Sequence, residues 1–326
     1  MTVAGVREQE ELRREGVVPV GTPEVAGRTP WQLFWLRFRQ DRVALAALGF
    51  IVVLVLVAIL AGPITRAVAH PADAQFPSAL DQRFGTPTGP STTFLFGVDK
   101  VGEDVFSRVL YGARVSLEVA FIATFLSVAI GVALGMLAGY YRGWVDMLIS
   151  RVIDITLAFP ILLLALGIGS ACSLGNGCAG GAVRPGLPTV IVAIVVINWT
   201  YIGRIIRGQV LSLREKEFVE AARAGGARDR TILFRELLPN LAAPIVVYST
   251  LVIPQNILLE AALSFLGVGI NPPQSSWGEM IAEATPIFAS AWWFFVFPGA
   301  ALLLTVLAFN LLGDGVRDAL DPRAAP

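Results

Sequence analysis

The sequence predicts an all-α membrane protein with six transmembrane helices, an interfacial helix before the first, and both termini in the cytoplasm. Composition is the first reason: 55% of the 326 residues are hydrophobic and only 15% are charged, which is not the balance of a soluble domain. Distribution is the second. The apolar residues gather into stretches at 43–62, 115–139, 152–170, 187–205, 241–262 and 291–312, and each reaches the roughly 20 residues that cross about 30 Å of hydrocarbon. The third is positive charge. The N-terminal tail, the 140–151 turn, the 204–240 loop and the C-terminus hold nineteen of the 25 Lys and Arg, against six on the opposite side, so the richer side is cytoplasmic.

Taken in order, residues 1–28 mix Glu, Arg, Gly and Pro and read as a disordered cytoplasmic tail. They contain no apolar run, so no cleavable signal peptide is expected. Within 29–62, Trp31, Phe34, Trp35 and Phe38 recur at helical spacing beside Arg37, Arg39 and Arg42. That pattern suits a helix lying among lipid headgroups and leading into the first span; the alternative is an aromatic start to that span. Residues 63–113 form a long extracytoplasmic segment. Its carboxylates at Asp99, Glu103 and Asp104 lack the alternate spacing of a calcium loop.

The remaining spans lie in 114–312. Gly131, Gly135 and Gly139 make a ridge of small residues four apart, suited to close helix packing against an unidentified mate. Pro160 and Pro254 fall inside the third and fifth spans and predict bends rather than breaks, since membrane helices accommodate proline where neighbours satisfy the freed carbonyl. Cys172 and Cys178 sit in a Gly-rich outer loop where oxidising conditions permit a disulfide. Gln255 and Asn256 follow Pro254 and suit either a polar translocation pathway or hydrogen bonds between helices. Glu118 and Glu260 are carboxylates at or near span ends, which makes them functional candidates, although Glu260 would also reach water there. Residues 313–326 form a cytoplasmic C-terminus.

Phe218–Pro239 is a charged island between spans, within a loop at 213–239. Leu213–Ala224 predicts a helix with Phe218, Ala221 and Ala222 on one side, closed by Gly225 and Gly226 through a left-handed residue. Asp229 is expected to cap a second helix and Pro239 to end it. Small residues there let another surface come close to the backbone, so the stretch reads as a docking knob or as a solvated hairpin.

Glu220-Ala221-Ala222, Gly226 and Leu238-Pro239 resemble the EAA loop of binding-protein-dependent ABC importer permeases, with Glu236 standing where that motif has Ile. Phe96–Arg108 is similar to a Gly-x-Asp-x-x-Gly-Arg-Asp-x-x-Ser-Arg segment of the C-type subunit of oligopeptide, dipeptide and nickel permeases, with Glu103 in place of the Arg. The likeness continues through Leu258–Gly269, Pro272-Pro273, Ser276-Trp277-Gly278 and Leu307–Arg323. It implies a bacterial inner-membrane transport subunit whose coupling helix meets a separate ATPase. The implied partners are a second homologous permease, two ATPase subunits carrying ATP and Mg, an extracytoplasmic binding protein and membrane lipid, with no nucleic acid. The implied cargo is di- or oligopeptide, or alternatively a nickel chelate or glutathione-like solute.

The sequence has no phosphate loop of the Gly-x-x-x-x-Gly-Lys-Ser/Thr type. One histidine, His70, and no paired Asp within the spans leave no catalytic residues for an intramembrane hydrolase and no metal or cofactor site on this chain. A simple channel would not account for the EAA spacing.

Overall fold

Apolar length dictates the architecture, because backbone polar groups in hydrocarbon must be satisfied within a helix. The computed structural model describes residues 30–320 apart from 82, 84, 174–176 and 271; the expected tail over 1–28 lies outside that range. Helix α1 (Pro30–Phe38) leads into α2 (Arg42–Ile59) and the short α3 (Ala61–Val68). Then come α4 (Val105–Tyr141), α5 (Gly143–Ala158), α6 (Ile161–Ser173) and α7 (Leu187–Leu213). Helix α8 (Glu217–Ala224) is followed by a helical run α9 over 229–240, then by α10 (Ala242–Phe265), α11 (Trp277–Ala284) and α12 (Trp292–Leu320). Among the described residues the β structure is confined to isolated bridges.

Among the described residues five helices are long and apolar enough to cross a membrane, and the pair α5 and α6 makes a sixth if counted as one broken span. That pair corrects the third expected span. Pro160 does not bend one helix over 152–170; it separates two helices set at 95°. Phe159 is extended there, at ψ 142°, as the residue before proline prefers. Pro254, by contrast, lies inside a helix that continues unbroken from Ala242 to Phe265. Helix α12 runs on to Leu320, so the expected C-terminal tail is helical over 313–320.

The centre of the bundle is the pairing of α4 with α7, and the glycine ridge is its seam. A Cβ on Gly131 would lie 2.8 Å from the Trp199 carbonyl oxygen, one on Gly135 2.6 Å from that of Gly203, and one on Gly139 2.9 Å from that of Arg207. The mate of the ridge is therefore within this chain. Helices α2, α10 and α12 pack along the other side of α4, with Ala113, Leu117, Ala120, Ile257, Trp277 and Phe309 buried together.

Two ends of the bundle are distinguished by what closes them. At one end Asp104 caps α4, accepting from the Phe106 amide at 2.9 Å. There α11 re-enters the bundle, capped by Ser276, which accepts from the Glu279 amide at 3.2 Å. Trp277, fully buried, donates its indole N–H to the Val109 carbonyl at 3.0 Å. At the other end α8 and α9 fold against the last turns of α4 and α7.

Candidate functional site

The segment from Leu213 to Leu241 is an elbow with a buried inner face and an open tip. Helix α7 ends at Leu213 and α8 begins at Glu217, so the expected continuous helix Leu213–Ala224 is interrupted. Val219, Ile232, Leu233 and Leu237 turn inward against Tyr140, Ile206 and Val210. Phe218, Glu220, Ala221, Gly225 and Gly226 face outward. Ala222 is half-buried and belongs with the inner face, which separates it from Phe218 and Ala221.

The turn at the tip explains the glycine pair. The Gly226 amide donates to the Arg223 carbonyl at 2.9 Å and the Ala227 amide donates to that of Ala222 at 3.0 Å, the crossed pair that terminates a helix through a left-handed residue. Gly226 is that residue, at φ +77°, and a Cβ placed on it would meet nothing within 4 Å. Asp229 does not cap α9. Its carboxylate accepts instead from the Tyr140 hydroxyl at 2.8 Å. Nor does Pro239 end the helix: the run continues through Leu238-Pro239-Asn240, and Ile232–Leu237 adopts the wider π winding. Proline offers no N–H to the carbonyl one turn back and its ring crowds that carbonyl, so the preceding turn opens by one residue. Leu238 and Pro239 therefore help form the base of the elbow. Glu236, the departure from the EAA pattern, is half-buried, and its carbonyl accepts from the Asn240 side chain at 2.7 Å.

Several contacts fasten the elbow to the long helices. Besides Tyr140–Asp229, the Arg223 guanidinium lies over the Tyr140 ring at 5.5 Å. Arg142 pairs with Glu215 at 2.7 Å, and Arg214 donates to the Gly139 and Tyr140 carbonyls. The elbow is thus tied directly to the last turns of α4.

The residues expected along a polar pathway separate. Gln255 is exposed, while Asn256 and Glu260 are fully buried. Asn256 donates to the Thr124 hydroxyl at 2.8 Å and accepts from Asn198, linking α10 to α4 and α7. Glu260 accepts from Ser116 at 2.9 Å and from Ser264 at 2.8 Å. It does not reach water at a span end; two hydroxyls satisfy it inside the bundle, as a buried carboxyl group requires. Cys172 and Cys178 are joined as a disulfide.

At the capped end, Arg108 forms a hub that sequence reading missed. Only 3% exposed, it meets Asp99, Glu279 at 3.2 Å, Glu283 at 2.8 Å and Glu103 at 3.4 Å. Its Nε donates to Ser275 at 3.0 Å, and Lys100 joins Glu283 at 2.8 Å. Glu103, standing where the resembling segment has Arg, thus adds a carboxylate to this clasp. Burial pushes the Glu279 carboxyl up to about 7 against the pull of Arg108, and burial also raises Glu103. Burial acts on Glu283 too, but Arg108 and Lys100 together hold it below the ordinary value. The available signal was Glu279 and Glu283 one turn apart; nothing local ties them to Arg108, about 170 residues earlier.

Comparison with known proteins fits this arrangement. Residues 131–326 match the family described as binding-protein-dependent transport system inner membrane component, and residues 29–83 match the N-terminal transmembrane domain of oligopeptide transport permease C. The chain is 44% identical over 314 residues to the glutathione transport system permease protein GsiD of Shigella boydii, covering 95% of this chain and 97% of that one. It is 45% identical over 314 residues to the GsiD protein of Salmonella typhimurium, with the same coverage. Its fold is similar to the inward-facing MetNI methionine ABC transporter, with a TM-score of 0.54 and 20% identity over 66% of this chain and 96% of that chain. The chain belongs to the binding-protein-dependent ABC importer permeases, in the oligopeptide and dipeptide branch.

Proposed function

We propose that this permease subunit passes short peptides, glutathione-like tripeptides among them, across a bacterial inner membrane, driven by ATPase subunits seated on the elbow. The observation that carries the reading is the elbow itself. Its tip is open and small, and its base is hydrogen-bonded to the ends of the spanning helices. ATP and Mg belong to the two ATPase subunits, a second related permease completes the pathway, and an extracytoplasmic binding protein delivers the solute. The names of the similar glutathione permeases support the cargo class. The asymmetry of Lys and Arg supports a cytoplasmic elbow and cytoplasmic termini. The exposed rings of Trp31 and Trp35 support a headgroup location for α1. Gln255 is the exposed amide that remains a candidate for the pathway wall.

In this reading ATP-driven closure of the partner subunits displaces α8 and α9, and the contacts at Tyr140 and Arg214 carry that displacement into α4 as a rigid-body shift. The test is a reconstituted complex carrying Gly226→Val, since a β-branched residue is strained at positive φ. Expected is a loss of tripeptide accumulation of about tenfold or more with the subunit still in the membrane, because strain of about 1–3 kcal/mol displaces the tip. Undiminished uptake at equal expression would refute the role of the elbow.

A further inference from the structure

The end of the bundle that holds the Arg108 clasp also contains a cavity of about 960 Å³, lined where α3, the start of α4 and the start of α7 converge. Five charged side chains line it: Arg66, Arg114 and Arg184, with Asp73 and Glu118. All five are exposed. Among the described residues none of them forms an ion pair, whereas Arg108, Arg142, Arg204, Arg207 and Arg214 each do. Tyr111, Arg114 and Glu118 recur at intervals of three and four along α4 and so share one face of the helix. The intervening Ser116, Leu117 and Val119 are buried in the bundle. Charges placed on an otherwise apolar spanning helix persist where they face a water-filled cavity, and the volume lies within the range of small-molecule sites.

We propose that this cavity is a recognition vestibule for a short peptide-like solute carrying more carboxylate than ammonium groups. Arg114 and Arg184 receive carboxylates, and Glu118 receives the free amino group. Three guanidinium groups against two carboxylates give the lining a net positive charge. That lining complements a solute with two carboxylates and one ammonium better than a neutral dipeptide, and it disfavours a cationic one. Because the guanidinium groups are unpaired, binding a carboxylate breaks no existing ion pair. The inference rests on the importer reading and extends it, assigning part of the selectivity to this subunit.

The test uses the complete complex in proteoliposomes with one and the same binding protein, and compares uptake of an acidic with a neutral tripeptide. Since delivery is common to both forms of the complex, a change in the acidic-to-neutral ratio belongs to the permease. Arg114→Gln with Arg184→Gln is expected to lower that ratio about tenfold, the scale of one well-placed charge pair. Arg114→Lys, which keeps the charge, is expected to restore most of it. Glu118→Gln should narrow the advantage of a free over an acetylated amino terminus. Arg184→Gln alone, in a turn outside the helices, provides the same readout if the double variant assembles poorly. An unchanged ratio in these variants overturns the vestibule and leaves the importer standing, as does a loss that Lys fails to restore. A wild-type complex that accumulates neither tripeptide overturns both.

Discussion

Burial raises the Glu279 carboxyl although Arg108 lies 3.2 Å away and draws it the other way. Glu279 is 5% exposed and shares Arg108 with three other carboxylates. With its carboxyl at about 7 rather than the ordinary 4.5, the folded chain holds a proton that the unfolded chain releases from about pH 4.5 upward. Unfolding therefore liberates a proton between those values, and stability falls as pH rises through the window and levels off above it. Glu103, also raised, acts in the same sense. Glu283, held low, affects stability only as pH falls below its ordinary value and does not oppose the trend. The thermal midpoint of the purified protein in detergent should therefore decline from pH 5 to pH 7.5, and Glu279→Gln should flatten that decline. A variant with the wild-type slope would show that the proton resides elsewhere.

At the scale of elements, the seam between α4 and α7 has the least room for change. A side chain at Gly135 would begin 2.6 Å from the Gly203 carbonyl oxygen, and backbone cannot retreat as a flexible side chain does. Gly135→Val is expected to cost about 1–3 kcal/mol, seen as a lower thermal midpoint and a reduced yield of assembled complex. Gly49, exposed on α2 with nothing within 4 Å of its Cβ position, is the control, and Gly49→Val should change neither. The ridge was legible in sequence because a spacing of four defines one face of a helix, but spacing encodes how closely a neighbour approaches and not which neighbour it is. Proline was ambiguous for a similar reason. Pro254 is buried between the buried Val252 and Asn256 in a helix that stays whole, whereas Phe159 and Pro160 are exposed and nothing opposes the extended preference before proline. The π winding before Pro239 has a local chemical cause, yet the choice between ending and widening a helix depends on the buried Leu233 and Leu237 that anchor it. Asn256 and Glu260 were recognisable as polar residues in apolar helices; their hydroxyl and amide partners lie up to 144 positions away and became visible only once folded.

For the whole molecule the decisive question is which side the elbow occupies. The two cysteines are bonded to each other, and the described residues contain no free thiol. A thiol introduced at Ala221, exposed on the tip, is therefore a unique reporter. In intact cells that express this subunit without the ATPases that would cover the tip, a membrane-impermeant maleimide should leave Ala221→Cys unlabelled and should label it after permeabilisation. Labelling in intact cells would reverse the orientation drawn from the charge distribution.

Helix α4 contains 37 residues, about 55 Å of continuous rod at 1.5 Å per residue. One end carries Tyr140 and the elbow's attachments, and the other carries Arg108, Arg114 and Glu118. The glycine seam lies between the middle of the rod and its elbow end, the point about which a rigid tilt of the rod against α7 would turn. A pivot of about 5° at Gly135, roughly 45 Å from the far end, would swing the distal tip by roughly 4 Å in the sense opposite to the proximal one. In the proposed transport cycle such a tilt would narrow one mouth of the bundle as it widened the other, with no bond inside the rod broken.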